Sequence, residues 1–273
     1  NNWFVMYFLS VVLIGTVYPI FLEVMSGEKI SIGPPFYHKL IIPFLLFFLL
    51  FMSIGPNLDW IKSKTRKIKF ELILLFIISI LISFFILKNL GSVSLNNTVL
   101  ISASFYLFVT TLKDFFSEKF TNYSQRLSHF GFSLLILSIL LNSVFSSEII
   151  TNIKVGEKFF YEGGSIKLDS IENKQIDNYE SIIGNFIVED NKNNLTTLKP
   201  ELRAYNTPST ITSEADIKTT LFYDKFLVMN LVKGNEYFNI RYQVKYFMIW
   251  IWISTLLLAM GGTLSVFRRI NEK

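Results

Sequence analysis

The chain has 273 residues, a formal net charge of +5 and no cysteine. Half of it is hydrophobic, 28 residues are Phe and the mean hydropathy is +0.43, which excludes a disordered chain and fits an integral membrane protein. Without Cys there is no disulfide, no thiolate metal site and no covalent haem link to this chain; its two His would need carboxylates at metal spacing to hold zinc, and the sequence offers none.

Six apolar runs follow in chain order, at roughly 3–22, 39–58, 70–87, 98–112, 130–146 and 246–267. Each approaches the ~20 residues that cross a bilayer core. The fourth is the shortest and most polar, carrying Ser102, Ser104, Thr110 and Thr111. The first follows Asn1-Asn2, with no basic stretch before it and no small-residue cleavage site after it, so it reads as a span rather than a signal peptide. The missing initial Met is read as a sign of a longer chain. Pro19 predicts a kink near the end of the first span, and Glu23 an interfacial position. Gly33-Pro34-Pro35 reads as a rigid connector with the second helix starting after it, and Gly55-Pro56 as that helix's stop.

Between the fifth and sixth spans lies a polar stretch, 147–245, with short-period alternation at Ser165–Asp169, Gly184–Glu189 and Phe238–Tyr242. Phe226–Leu231 reads as a more buried strand. Turn signals stand at Glu162-Gly163-Gly164, Asp190-Asn191-Lys192-Asn193 and Lys233-Gly234-Asn235. Residues 212–219 read as a loop or a single helical turn. The expected fold is therefore an α-helical polytopic membrane protein with six spans and an inserted small antiparallel β-domain, a sandwich or barrel. Its expected divisions are a five-helix bundle at 1–146, a β-domain on the outer face at 147–245, and a last span with a cytoplasmic tail at 246–273.

Cations set the expected orientation. Lys62, Lys64, Arg66, Lys67, Lys69, Lys113, Lys119, Arg126, Arg268, Arg269 and Lys273 fall on one side, against Lys29, Lys39 and Lys88 on the other. That asymmetry places both termini in the cytoplasm and the β-domain outside. Beside two spans, the basic cluster at 62–69 reads as topology rather than as a nucleic-acid site, and no nucleic-acid partner is expected.

His129 opens the fifth apolar run in Ser128-His129-Phe130-Gly131-Phe132. An imidazole at membrane depth is either bonded to a backbone carbonyl of another helix, or a haem or metal ligand, or part of a proton relay. Gly131 lets another backbone or a flat cofactor come close. Arg126, three residues before His129, shares its helix face and is either a cytoplasmic anchor or a contact for a cofactor carboxylate. His38 belongs to the opposite membrane face, ~30 Å away by bilayer thickness, so the two histidines cannot grip one iron. In Pro200–Tyr205, the side chains of Glu201, Arg203 and Tyr205 share one strand face, as a solvated ladder or a partner contact. Trp250 and Trp252 fit an aromatic belt. Nucleophile-elbow, Walker, dinucleotide and HExxH motifs are absent.

Together these segments resemble the C-terminal portion of CcmF, the membrane subunit of the cytochrome c maturation haem lyase. The marks are Tyr18-Pro19 with Leu22-Glu23, Lys29–Pro35, Ile54-Gly55-Pro56, His129-Phe130-Gly131, Gly156-Glu157 with Gly163-Gly164, Pro200–Tyr205, Thr212–Ala215, and Trp250-Ile251-Trp252 with Gly261-Gly262. The resemblance implies haem binding and a part in attaching haem to the Cys-x-x-Cys-His motif of apocytochrome c. It implies a non-covalent haem b with His129 as axial ligand and the second ligand outside this chain. It also implies a haem-carrier protein, other maturation subunits and apocytochrome c as partners, membrane lipid around the helices, and a bacterial or organellar inner membrane. The family's tryptophan-rich loop is expected upstream of Asn1. Asn178-Tyr179 fits the family, but the Gly-Pro associated with that pair reads Ile176-Asp177 here. A transporter fragment and a membrane-anchored interaction module without its own haem are the alternatives; the sequence shows no internal repeat for the former.

Overall fold

In a computed structural model of the chain, residues 2–55, 70–91, 93–116, 123–232, 234 and 236–271 are described. Pro56, the basic cluster from Lys62 to Lys69, and Lys119, Lys233, Asn235 and Lys273 lie outside the described residues. The chain divides into two units, 1–140 with 253–273, and 141–252.

The first unit is helical. α1 (Asn2–Ser26), α2 (Pro34–Ile54), α3 (Phe70–Asn89), α4 (Leu95–Phe116), α5 (Tyr123–Phe145) and α6 (Met248–Asn271) are all long and apolar enough to cross a membrane. α1 continues through Pro19 as helix, and Glu23 pairs with Lys29 at 3.4 Å. α2 departs from expectation at its start. It begins on Pro34-Pro35 themselves, with Gly33 as N-cap, because a first-turn N–H has no helical partner to lose. α4 and α5 are longer than their apolar runs, so Lys113, Asp114, Arg126 and His129 all stand on helix. Hydroxyls that interrupt the apolar runs bond back to their own helices, as Ser83 does to Ser79 and Thr110 to Tyr106. α2 and α3 both pack on α4, and α1 packs on α2 through Phe4, Phe8 and Phe48. Lys113 of α4 pairs with Glu71 of α3.

The second unit holds two antiparallel sheets. β1 (Ser147–Ile153), β10 (Phe238–Tyr246), β9 (Tyr223–Leu231) and β8 (Asp216–Thr219) form one, in that order. The other runs β2 (Lys158–Tyr161), β3 (Gly164–Ile176), β4 (Tyr179–Asp190), β6 (Glu201–Tyr205) and β7 (Thr210–Glu214), with β5 (Leu195–Leu198) also on β4. Residues 212–219 are therefore mostly strand, belonging to β7 and β8, and not a loop or helical turn. Each is only four or five residues long, too short for alternation to show. Alternate residues of the two sheets meet in one core: Ile166, Leu168, Phe186 and Val188 from one, Leu227, Met229, Ile240 and Tyr242 from the other. Burial pushes the Tyr242 phenol far up from its ordinary value.

The first and last strands carry the chain to and from the helices. Only Ser146 separates α5 from β1, which pairs with β10, and only Phe247 separates β10 from α6. Asn142 donates its side-chain amide to the Tyr246 carbonyl, and the Tyr246 N–H donates to Ser146 Oγ at 3.2 Å. The Trp250 indole donates to the Leu221 carbonyl at 3.0 Å, so this belt residue also ties the start of α6 to the β8–β9 turn.

Candidate functional site

Arg126, His129 and Ser133 stand at spacings of three and four on α5, which puts them on one face. That face meets α4. Thr111 Oγ1 and Ser133 Oγ are 2.6 Å apart, and each also bonds a carbonyl of its own helix. Above and below this contact Phe130 sits between Phe108 and Phe115, with ring centres 5.8 and 5.4 Å away. Phe132 meets Phe48 of α2 edge to face. Aromatic packing and one hydroxyl bridge thus fix the rotation of α5 against α4.

The result is a small pocket lined by Thr111, Asp114, Gln125, Arg126 and His129. His129 is half-buried in it. The Nε of Arg126 is buried without a hydrogen-bond partner among the described residues. The sequence places Arg126 and His129 together, and the structure does bring them to one pocket. Asp114 and Thr111 are additions from α4; their signal is the polar end of an otherwise apolar run, which does not say what it faces.

Gly131 lies around the helix from His129, on the side that meets α6. A Cβ there would stand 3.0 Å from the Leu258 backbone N and 3.1 Å from the Ser254 carbonyl O. Reciprocally, a Cβ on Gly261 would stand 2.2 Å from Ser128 Oγ and 2.8 Å from the Ser128 N. Small residues on both helices let the two backbones touch. Of the two neighbours the sequence allows at Gly131, a backbone or a flat cofactor, the structure supplies a backbone, and the room for a cofactor there is filled by α6. His38, in the opening turns of α2, lines a different cavity from His129.

In the β-domain, Glu201, Arg203 and Tyr205 alternate along β6 and face the same way. Register puts Ile183, Ser181 and Tyr179 beside them on β4, and Glu214, Thr212 and Thr210 on β7. Arg203 Nε donates to Glu201 at 2.9 Å, and its guanidinium lies 5.1 Å from the centre of the Tyr179 ring. Tyr179 and Tyr205 are 5.1 Å apart. Bonds to Glu201 and then Tyr205 hold the guanidinium charged well above its ordinary range. The sequence groups three of these side chains; Tyr179 joins them only through the β4–β6 pairing.

Comparisons with known proteins agree with this layout. Residues 144–246 match the family described as the CcmF C-terminal beta-sandwich. The cytochrome c-type biogenesis protein CcmF of Pseudomonas aeruginosa is 25% identical over 280 residues, covering 95% of this chain and 42% of that protein. The cytochrome c-type biogenesis protein ccl1 of Rhodobacter capsulatus is 26% identical, covering 98% and 43%. CcmF of Escherichia coli K12 is 24% identical, covering 98% and 42%. A solved structure titled cytochrome c heme lyase CcmF superposes with a TM-score of 0.70 at 17% identity, over 95% of this chain and 43% of that one, a likeness of fold. The chain thus spans less than half the length of the relatives it matches. Six bilayer-length helices among the described residues, a sandwich inserted between the last two that matches the CcmF C-terminal beta-sandwich, and likeness along nearly the whole chain lead to one conclusion: the protein is similar to the C-terminal part of CcmF-type cytochrome c biogenesis proteins.

Proposed function

We propose that this chain forms the haem-binding C-terminal part of a haem lyase subunit, with His129 an axial ligand of a haem b. The observation that carries it is the pocket between α4 and α5. There, a half-buried imidazole stands beside a buried Arg126 Nε that lacks a partner among the described residues. An orphaned guanidinium donor and an adjacent imidazole suit the carboxylate and the iron of a porphyrin, while the pocket between them, about 10 Å³, is too small for the ring, which would lie at its mouth. His129 offers the neutral nitrogen lone pair that an iron takes, and Arg126 offers charged donors to a carboxylate. The α5–α6 seam at Gly131 and the Thr111–Ser133 bridge hold the helix that carries both. A haem bound here supplies a redox-active iron.

The cation asymmetry of the sequence supports cytoplasmic termini and an outward β-domain, so His129 and Arg126 lie toward the cytoplasmic side. The Tyr179, Glu201, Arg203 and Tyr205 face is then the contact surface for a haem carrier, another maturation subunit or apocytochrome c. The second axial ligand is supplied from outside this chain. The test uses a chain extended to the length of its relatives. It should purify with a low-spin bis-histidine spectrum, and His129→Ala should lose haem or turn high-spin while still inserting. Arg126→Gln should lower haem occupancy without changing spin state. Wild-type haem content and spectrum in His129→Ala would leave a membrane-anchored interaction module as the reading.

A further inference from the structure

A second cavity lies at the N-terminal ends of α2 and α4, apart from the His129 pocket. It has a volume of about 650 Å³. Its polar lining is His38, Lys39 and Asn96; its walls are Ile42, Pro43, Leu46, Leu95, Val99 and Leu100. Lys39 has no ion pair among the described residues, whereas the nearby-in-sequence Lys29 is paired with Glu23. Both helices also turn their positive dipole ends this way. Pro43 has no N–H to give the Lys39 carbonyl, which leaves an acceptor beside these donors.

The cavity continues inward. Leu46 and Val99 also line an apolar slot of about 170 Å³, together with Leu50 of α2, Phe76 and Ile80 of α3, and Thr98, Ser102 and Ala103 of α4. The small side chains of Ser102 and Ala103 keep the floor of the slot low. A single hydrocarbon chain fits the slot. A cationic, donor-rich chamber at helix ends, leading into a narrow apolar slot toward mid-membrane, has the shape and charge order of an anionic amphiphile.

We propose that the α2–α3–α4 groove is a binding site for an acidic phospholipid. Lys39, His38 and Asn96 take the phosphate and headgroup, and one acyl chain runs past Leu46 and Val99 into the slot. Such a lipid would wedge α2 and α3 against α4, the most buried of the helices. It would be a fixed component of the bundle rather than bulk solvent.

The test is reconstitution of the 273-residue chain in phosphatidylcholine vesicles containing chain-spin-labelled phosphatidylglycerol or, separately, chain-spin-labelled phosphatidylcholine. The measured quantity is the immobilised fraction. Wild type should prefer phosphatidylglycerol about fivefold, as one lysine at a lipid headgroup implies. Lys39→Gln should bring that ratio close to one. Val99→Trp, which plugs the slot, should remove the excess of immobilised phosphatidylglycerol over phosphatidylcholine and leave only the boundary lipid common to both, while circular dichroism shows helix content unchanged. Equal immobilisation of the two lipids by wild type, or an undiminished preference in Lys39→Gln, overturns the proposal. So does loss of the signal when the chain is extended to its relatives' length, which would assign the groove to a protein segment.

Discussion

The helical unit and the β-domain hold themselves together in different ways. In α1 and α6 only 11% of the most apolar window is buried within the protein, and even in α4 it is 50%. Trp3, Leu9, Leu13, Phe85, Trp252 and Leu256 are exposed, as apolar side chains facing lipid are. The β-domain instead buries Ile153, Ile166, Phe186, Leu198 and Leu227 completely. In lipid, exposed apolar surface costs nothing, so helix contacts rest on small residues, hydroxyl bridges and aromatic fit. In water, the same surface must be removed from solvent, and a sandwich core does that. The two units should accordingly fail separately.

The strongest way to break that comparison is the β-domain core. Phe186→Ala should destabilise an excised 144–246 domain by about 3–5 kcal/mol in urea unfolding. Because every strand among the described residues lies between Ser147 and Tyr246, the wild-type excised domain should show an all-β circular dichroism spectrum. A mainly helical spectrum, or no cooperative transition, would mean the domain leans on the helices. Next comes Gly164, where β3 begins at φ +139° and a Cβ would lie 2.0 Å from the Glu189 carbonyl O. Gly164→Ala should cost about 1–3 kcal/mol in the same assay and leave helix insertion untouched.

Gly261→Leu tests the other unit. It should push α6 off Ser128 and lower the thermal stability of the detergent-solubilised protein, by about 1–3 kcal/mol, while near-ultraviolet signals of the β-domain persist. Simultaneous loss of both would show one cooperative unit. The smallest expected effect is electrostatic. Glu189 is held below its ordinary value of 4.5 by its bond to Lys158, and Asp190 below 3.8 by Asn194. Each folded pKa is lower than the unfolded one, so each adds stability above the ordinary carboxylate range and loses it as pH falls through that range. Burial acts oppositely on Asp224, which is raised. Acidification below about pH 4.5 should therefore weaken the β-domain slightly, and Glu189→Gln should flatten that slope. A slope unchanged in the variant would remove Glu189 as its source.

Much of this molecule is local and was readable as such. A run of apolar residues long enough for a bilayer determines a helix whatever surrounds it, because unpaired backbone polar groups are too costly in lipid. Alternation at Gly184–Glu189 and Phe238–Tyr242 determines strands with one face buried. The shared face of Arg126 and His129 follows from helical geometry alone. Tertiary structure decided what no local pattern encodes. It set α6 rather than a cofactor against Gly131, and it paired β4 with β6 so that Tyr179 meets Arg203. It made strands of 212–219 by giving them neighbours in two sheets. It also joined residues of α2, α3 and α4 into one groove. Spacing along a chain fixes the direction a side chain takes from its own element; what it meets depends on residues far away in sequence, through packing and pairing that only the folded chain specifies.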